Sequence, residues 1–275
     1  ASEEGLLRCP RNCKHAAGLC SEIMTAESVS GSRAVFPRGM AQPEKGYRFG
    51  LDPLLLASYL SVRAGEKVLD LGTGCGVAGL ALLLQTPEVR VTGVDISPEM
   101  IECAERNADL LGLRDRFAPF CLDIRDIRKT VEIRAESFDQ VMVNPPYRCP
   151  GQGREPHNPS RREARFEIRA ELDDFLQAAS FALKNRGTLT LIYLAARLGS
   201  VFQAVASTRL EIQRMRCVHS FLHSRASLVL LQARKNGKPG LECDPPLVLY
   251  QNEVGGQTRL SEQALTLCPF LGCNP

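Results

Sequence analysis

Asp70-Leu71-Gly72-Thr73-Gly74-Cys75-Gly76 is the stretch on which the fold turns. It joins Lys67–Leu71, a short apolar run of strand character, to Val77–Gln85, an apolar helix entered through glycines. Glycine lets the main chain turn sharply and lets a ligand approach it closely. The start of a helix also offers N–H groups without partners inside the helix. The same alternation continues downstream. Val89–Ile96 is rich in β-branched residues, and Ser97-Pro98-Glu99 reads as a helix start running to about Gly112, a good stop residue. Strands are expected at Phe117–Leu122 and Phe138–Val143, a helix at Leu172–Lys184, a strand at Thr188–Leu194 and a helix near Leu198–Ser207. Glu211–Val218 and Ser227–Ala233 read as two strands of a hairpin. This order predicts an α/β fold: a doubly wound, mostly parallel seven-stranded sheet, Rossmann-like, with an antiparallel hairpin at its edge.

Outside that pattern the chain divides into three parts. Residues 1–36 form a cysteine-containing extension without periodicity, 37–236 the α/β domain, and 237–275 a tail entered through Asn236-Gly237-Lys238-Pro239-Gly240. Hydrophobic residues make up 44% and charged residues 24%, ordinary values for a globular protein, and the net charge is only +3. No apolar run reaches the length of a membrane span and no signal-peptide pattern opens the chain, so the expectation is a cytoplasmic protein, acting as a monomer without an obligate protein partner. Eleven cysteines, an odd number, argue against a disulfide framework. Cys9, Cys13, Cys20, Cys268 and Cys273 lie toward the ends at spacings unlike a zinc knuckle, and free thiols with no metal are expected.

Two cofactors fit the glycine loop. Gly74-Cys75-Gly76-Val77-Ala78-Gly79 matches the G-x-G-x-x-G dinucleotide fingerprint. The alternative begins earlier, with Asp70 as an acid at the end of the first strand and Gly72, Gly74 and Gly76 after it. An acid there suits the cationic amino-acid end of S-adenosylmethionine and would repel a pyrophosphate. Asp95 closes the second strand, 25 residues after Asp70, where a carboxylate can accept both hydroxyls of a ribose. Asp123 follows the third strand, placed to accept from an adenine amine. The cofactor-binding set is therefore Asp70, Gly72, Gly74, Gly76, Asp95, Ile96, Asp123, Ile124 and Asn144.

Asn144-Pro145-Pro146-Tyr147, directly after the fourth strand, points to the chemistry and has no use in a dehydrogenase. A planar amine is a poor nucleophile because its lone pair is delocalised. The Asn144 oxygen and the Pro145 carbonyl can accept its two hydrogens, and the prolines stiffen the loop that holds them. Tyr147 can stack on a base. A carboxamide would be served equally well, which leaves a glutamine of a release factor as the alternative substrate.

The wider sequence resembles the bacterial tRNA(Val) adenine N-methyltransferases, class I enzymes that modify the adenine 3′ of the anticodon. Gly46-Tyr47-Arg48-Phe49, Asp52 and Leu55-Leu56-Ala57 carry the likeness before the loop. Ala164-Arg165-Phe166-Glu167, Leu183-Lys184, Val218-His219-Ser220 and Pro246-Leu247-Val248-Leu249-Tyr250 carry it after. The resemblance spans about Gly46 to Gly256 and implies methylation of a tRNA adenine. One departure is Phe166, where the family usually has histidine.

Residues 148–169 hold six arginines and one histidine against three glutamates. Arg148, Arg161, Arg162 and Arg165 are candidate contacts to tRNA phosphates. Arg209, Arg214, Arg216 and Arg225 around the hairpin are expected to add to that surface. His219 and His223 read as surface or RNA-contact residues.

Overall fold

The computed structural model describes residues 26–44, 48–146, 172–252 and 258–273. Two helices precede the sheet, α1 (Ala26–Val35) and α2 (Asp52–Tyr59). Then follow β1 (Lys67–Leu71), α3 (Val77–Gln85), β2 (Arg90–Asp95), α4 (Pro98–Leu110), β3 (Phe117–Cys121) and β4 (Phe138–Val143). The second half carries α5 (Leu172–Ala182), β5 (Leu183–Leu194), α6 (Leu198–Ala206), β6 (Leu210–His219) and β7 (Ala226–Lys235). Short elements close the chain: β8 (Glu242–Cys243), β9 (Leu247–Val248), β10 (Tyr250–Asn252), β11 (Thr258–Leu260) and α7 (Glu262–Leu267).

The seven long strands lie in the order β3-β2-β1-β4-β5-β7-β6. β1 to β5 are mutually parallel, as expected of strands linked by helical crossovers. The hairpin lies at the β6 end of the sheet, but its antiparallel strand is not outermost. β7 slots between β5 and β6 and runs against both. β6 therefore points the same way as β5, and the β6–β7 turn stands at the carboxyl edge of the parallel strands. β8 and β9 add two-residue parallel pairings to β6, which makes nine strands in this sheet among the described residues.

Each face of the sheet carries an apolar layer. One holds α2, α3 and α4, the other α5, α6 and Ile124, Ile127 and Ile133. α3 is apolar all round because it is covered on both sides, and residues 77–83 are all buried. A β-carbon on Gly79 would come within 2.7 Å of the Phe117 ring, so the glycine permits the helix to lie that close to β3. α4 begins as its sequence suggests: Ser97 caps it by accepting from Met100 N at 3.3 Å, with Pro98 at the first position. It ends in a Schellman turn, with Gly112 at φ 61° and Leu113 N donating to Ala108 O at 2.8 Å.

Sequence patterning carries the helix before β5 to Lys184. The helix stops at Ala182 and the strand starts at Leu183, passing through Arg186 at φ 66° and a shift of register before Thr188. The described part of 237–275 packs into the α2–α3 layer, where Leu247, Leu249, Ala264, Cys268 and Leu271 are buried. Phe36 meets Phe270 edge to face at 5.0 Å, and the Cys268 thiol lies 3.6 Å from Leu54 O. Among the described residues no helix is long and apolar enough to cross a membrane.

Candidate active site

Sheet register brings the acids and Asn144 to one edge. Leu71 lies opposite Val94 on one side and Val143 on the other, so the next residues, Gly72, Asp95 and Asn144, leave their strands at one level. Asp95 is itself opposite Cys121 at the end of β3. With strands roughly 4.8 Å apart, the row Cys121, Asp95, Gly72, Asn144 spans about 14 Å.

The glycine loop is stitched to β2. Gly72 N and Thr73 N both donate to Val94 O, at 2.8 and 2.9 Å. Gly74 N donates to Asp95 Oδ2 at 2.8 Å, and Gly76 N to Thr73 O at 2.9 Å. The N–H groups of Gly72, Thr73, Gly74 and Gly76 are thus spent within the protein and are not available to a pyrophosphate. All three glycines have left-handed backbone, with φ of 73°, 55° and 84° at Gly72, Gly74 and Gly76. Aromatic rings press against two of them: a β-carbon would stand 3.1 Å from Phe175 at Gly72 and 3.0 Å from Phe117 at Gly76. At Gly74 it would meet nothing within 4 Å, so the open side of the cradle is there.

Asp70 sits beneath this loop, only 2% exposed, rather than at its mouth. It accepts from Thr73 Oγ1 at 2.7 Å. Burial pushes its carboxyl up to about 7, and the nearby charge of Asp95 adds to the rise, opposing the hydrogen bond from Thr73. Asp95 accepts from Gly74 N and from Ser97 N, the latter at 2.9 Å, and burial raises its carboxyl too. Neither acid has a cationic partner among the described residues. Asp123 differs. It caps the turn Ile124–Asp126 and is gripped by the Arg125 guanidinium, whose hydrogen bond holds it below the usual carboxylate range.

The remaining candidates divide by placement. Ile96 is 40% exposed on the rim, whereas the Ile124 side chain is in the core, leaving its main chain for any ligand. Pro145 is buried, and Asn144 and Pro146 are half-buried. Tyr147, Arg148, Arg161, Arg162 and Arg165 lie outside the described residues, as do Cys9, Cys13 and Cys20. Thr73, Arg125 and Phe175 support the site without having been singled out from sequence, and Ser97, which the sequence marks only as a helix start, supports it through its N–H to Asp95. Thr73 was in view inside the loop, but nothing local marks Phe175, which reaches Gly72 from α5.

The hairpin arginines separate in the same way. Arg214 Nε lies 2.9 Å and Arg216 Nε 3.5 Å from Asp244 Oδ2, and both guanidiniums stand over the Tyr59 ring. They are committed inside the molecule, contrary to the expectation that they face RNA. Arg209 precedes β6 and so lies at the opposite edge of the sheet from Asn144. Only Arg225, in the β6–β7 turn, is both exposed and at the carboxyl edge. His219 is structural: its Nδ1–H donates to Ser224 O at 2.8 Å.

Comparison with known proteins places the chain among methyltransferases. Residues 51–199 match the methyltransferase small domain family. A tRNA1(Val) (adenine(37)-N6)-methyltransferase of Porphyromonas gingivalis is 31% identical over 193 residues, covering 68% of this chain and 74% of its own. One of the same name from Actinobacillus succinogenes is 30% identical, covering 70% and 78%. The chain belongs to this methyltransferase family. In fold it is similar to a solved structure described as a predicted O-methyltransferase from Agrobacterium tumefaciens, with a TM-score of 0.65 and 23% identity over 80% of this chain and 96% of that one.

S-adenosylmethionine is the methyl donor of this methyltransferase, and the residues present fit it. The donor carries positive charge, and the loop edge holds two buried acids without a cationic partner among the described residues. Gly74 leaves open space beside them, and the N–H groups of Gly72, Thr73, Gly74 and Gly76 are already taken within the protein.

Proposed function

We propose that this methyltransferase methylates the exocyclic amine of an adenine in tRNA, and that the adenine is the one 3′ of the anticodon of a valine tRNA. The observation that carries this reading is Asn144-Pro145-Pro146 leaving β4 at the level of Gly72 and Asp95, in a chain 31% identical to an enzyme named for that reaction.

When bound, S-adenosylmethionine supplies a methyl group on a positively charged sulfur. The chain's part is to make a poor nucleophile adequate. The Asn144 side-chain oxygen and the Pro145 carbonyl accept the two amine hydrogens, which turns the nitrogen lone pair out of the ring plane and stabilises charge growing on nitrogen. The two prolines hold these acceptors in place before the base arrives. Tyr147 offers the base a stacking face, and Arg148, Arg161, Arg162 and Arg165 hold flanking phosphates. Asp95 accepts from the ribose hydroxyls and Asp123 from the adenine amine of the cofactor. Asp70 contributes negative charge from beneath the loop. No general base is required, because the methylated amine sheds its proton readily.

Mass spectrometry of nucleosides tests this, after incubating bulk tRNA with the enzyme and labelled S-adenosylmethionine. The expected product is N6-methyladenosine, mapping to the anticodon loop of a valine tRNA. A methylated glutamine in a release-factor peptide, with no methyladenosine in tRNA, would transfer the activity to protein.

A further inference from the structure

The β6–β7 turn reads His219-Ser220-Phe221-Leu222-His223-Ser224-Arg225-Ala226 and contains no acid. It is tied within itself more tightly than a connecting turn requires. Besides the His219–Ser224 bond, Ser224 N donates to Phe221 O at 2.9 Å. Ser224 Oγ donates to Phe221 O at 2.8 Å and accepts from Phe221 N at 3.0 Å. From behind, the Phe221 ring packs 5.9 Å from Tyr250, and Tyr250 N donates to Ser220 O at 2.9 Å.

This rigid mount presents Leu222 outward, 69% exposed, with His223 and Arg225 exposed beside it. Arg225 forms no ion pair among the described residues. A single exposed apolar side chain is ordinary on a protein surface, so it takes position as well as exposure to give this one a reason.

Position supplies the reason. Register carries the level of Val143 through Leu191 and Leu231 to Met215, so Asn144 is level with Arg216 and the turn rises beyond it. At about 3.3 Å per residue along a strand and roughly 4.8 Å between strands, His219 stands roughly 10 Å above Asn144 and about 14 Å to its side. That is a reach of a few nucleotides along a single strand, on the same rim.

We propose that this hairpin turn is a second RNA-contact element, in which Arg225 holds a phosphate and Leu222 packs on a nucleotide flanking the target base. The inference rests on the tRNA reading above and adds the residues that grip the strand away from the reacting amine. An apolar contact next to a cation, without any carboxylate, suits unstacked loop nucleotides, which expose both base faces and phosphates.

The test measures tRNA binding by fluorescence anisotropy across a series of KCl concentrations, independently of methyl transfer. Arg225→Ala is expected to weaken binding several-fold and reduce the slope of log affinity against log salt by about one. Leu222→Ser should weaken binding without changing the slope. Arg209→Ala, at the opposite edge, should leave both unchanged. In methyl transfer the two turn variants should raise KM for tRNA and keep kcat. Wild-type affinity in both Arg225→Ala and Leu222→Ser would overturn the proposal. An enzyme that loses tRNA affinity in these variants yet makes no methyladenosine would refute the reaction and keep the surface.

Discussion

Asp70 and Asp95 under the glycine loop and Asp244 on the far side of the same sheet are carboxylates treated in opposite ways. Asp244 is met by Tyr59 Oη at 2.8 Å and by two guanidiniums, and these partners hold it ionised, below its ordinary range. Asp70 and Asp95 receive N–H and O–H donors but no cation among the described residues, and burial raises both. The first cluster carries its own cations and ties α2, β6 and the tail together, although Arg216 Nε has no hydrogen-bond partner among the described residues. The second is left short of positive charge, which a cationic ligand would supply. Of these three acids, the one with built-in cations ties elements together and the two without stand at the binding edge, whereas Asp123 carries its own cation, Arg125, at that same edge.

The largest effect expected on stability is at the cluster that carries its own cations. Asp244→Ala leaves Tyr59 and two guanidiniums facing each other with no anion between them. It should lower unfolding free energy by about 2–4 kcal/mol, toward the low end because Arg214 is 39% exposed and screened. Denaturant midpoints measure this, and methyl transfer per folded molecule should be unchanged. A midpoint equal to wild type would erase the contrast.

Asn144→Ala should do the reverse. Methyl transfer should fall about a hundredfold or more, near 2.7 kcal/mol, with cofactor affinity and stability nearly intact. Full turnover in single-cycle assays would mean that the loop after β4 has another purpose. Asp95→Ala comes next. Losing a charged acceptor should weaken S-adenosylmethionine binding by about 1.5–3 kcal/mol in calorimetry. Unchanged affinity would show that the uncompensated acid is not the ribose acceptor.

The binding edge was more legible in the sequence than the clamp, for a physical reason. Asp70, the glycines, Asp95 and Asn144 sit at ends of strands whose apolar and β-branched runs are local signals, and parallel crossovers must align those ends. The Tyr59–Asp244 bond joins residues 185 apart, and no local pattern announces it. Arg214 and Arg216 look the same in sequence whether they face RNA or an internal acid. The place of β7 between β5 and β6 is a choice of neighbour that strand patterning leaves open. The tail hides for a related reason: β8 and β9 are two residues each, too short to show periodicity. α1, with a glycine and three serines, has weak helical propensity and is held by contacts such as Arg33 Nε to Leu111 O at 2.7 Å.

The smallest effect expected is a pH dependence from Asp70, and it separates the two clusters without disturbing either. With its carboxyl raised to about 7 in the ligand-free fold, Asp70 keeps a proton there that the unfolded chain has already released. Between the ordinary carboxylate range and pH 7 the native state therefore binds more protons, so this group's contribution makes stability fall as pH rises through that window. Asp244 has the opposite sign: its contribution is present above the ordinary carboxylate range and lost as acid protonates it. Asp70→Asn keeps the shape and removes the titration. The variant should lose the Asp70 share of the decline in melting temperature expected of the ligand-free wild type as pH rises to about 7, keep the share that Asp95 contributes, and match or exceed wild type above that pH. A bound cation should draw the Asp70 proton off, so S-adenosylmethionine should bind wild type more weakly as pH drops below about 7, and Asp70→Asn should bind weakly at every pH. Melting curves that track each other across this range, with cofactor affinity flat in pH, would show that Asp70 is only a structural acid.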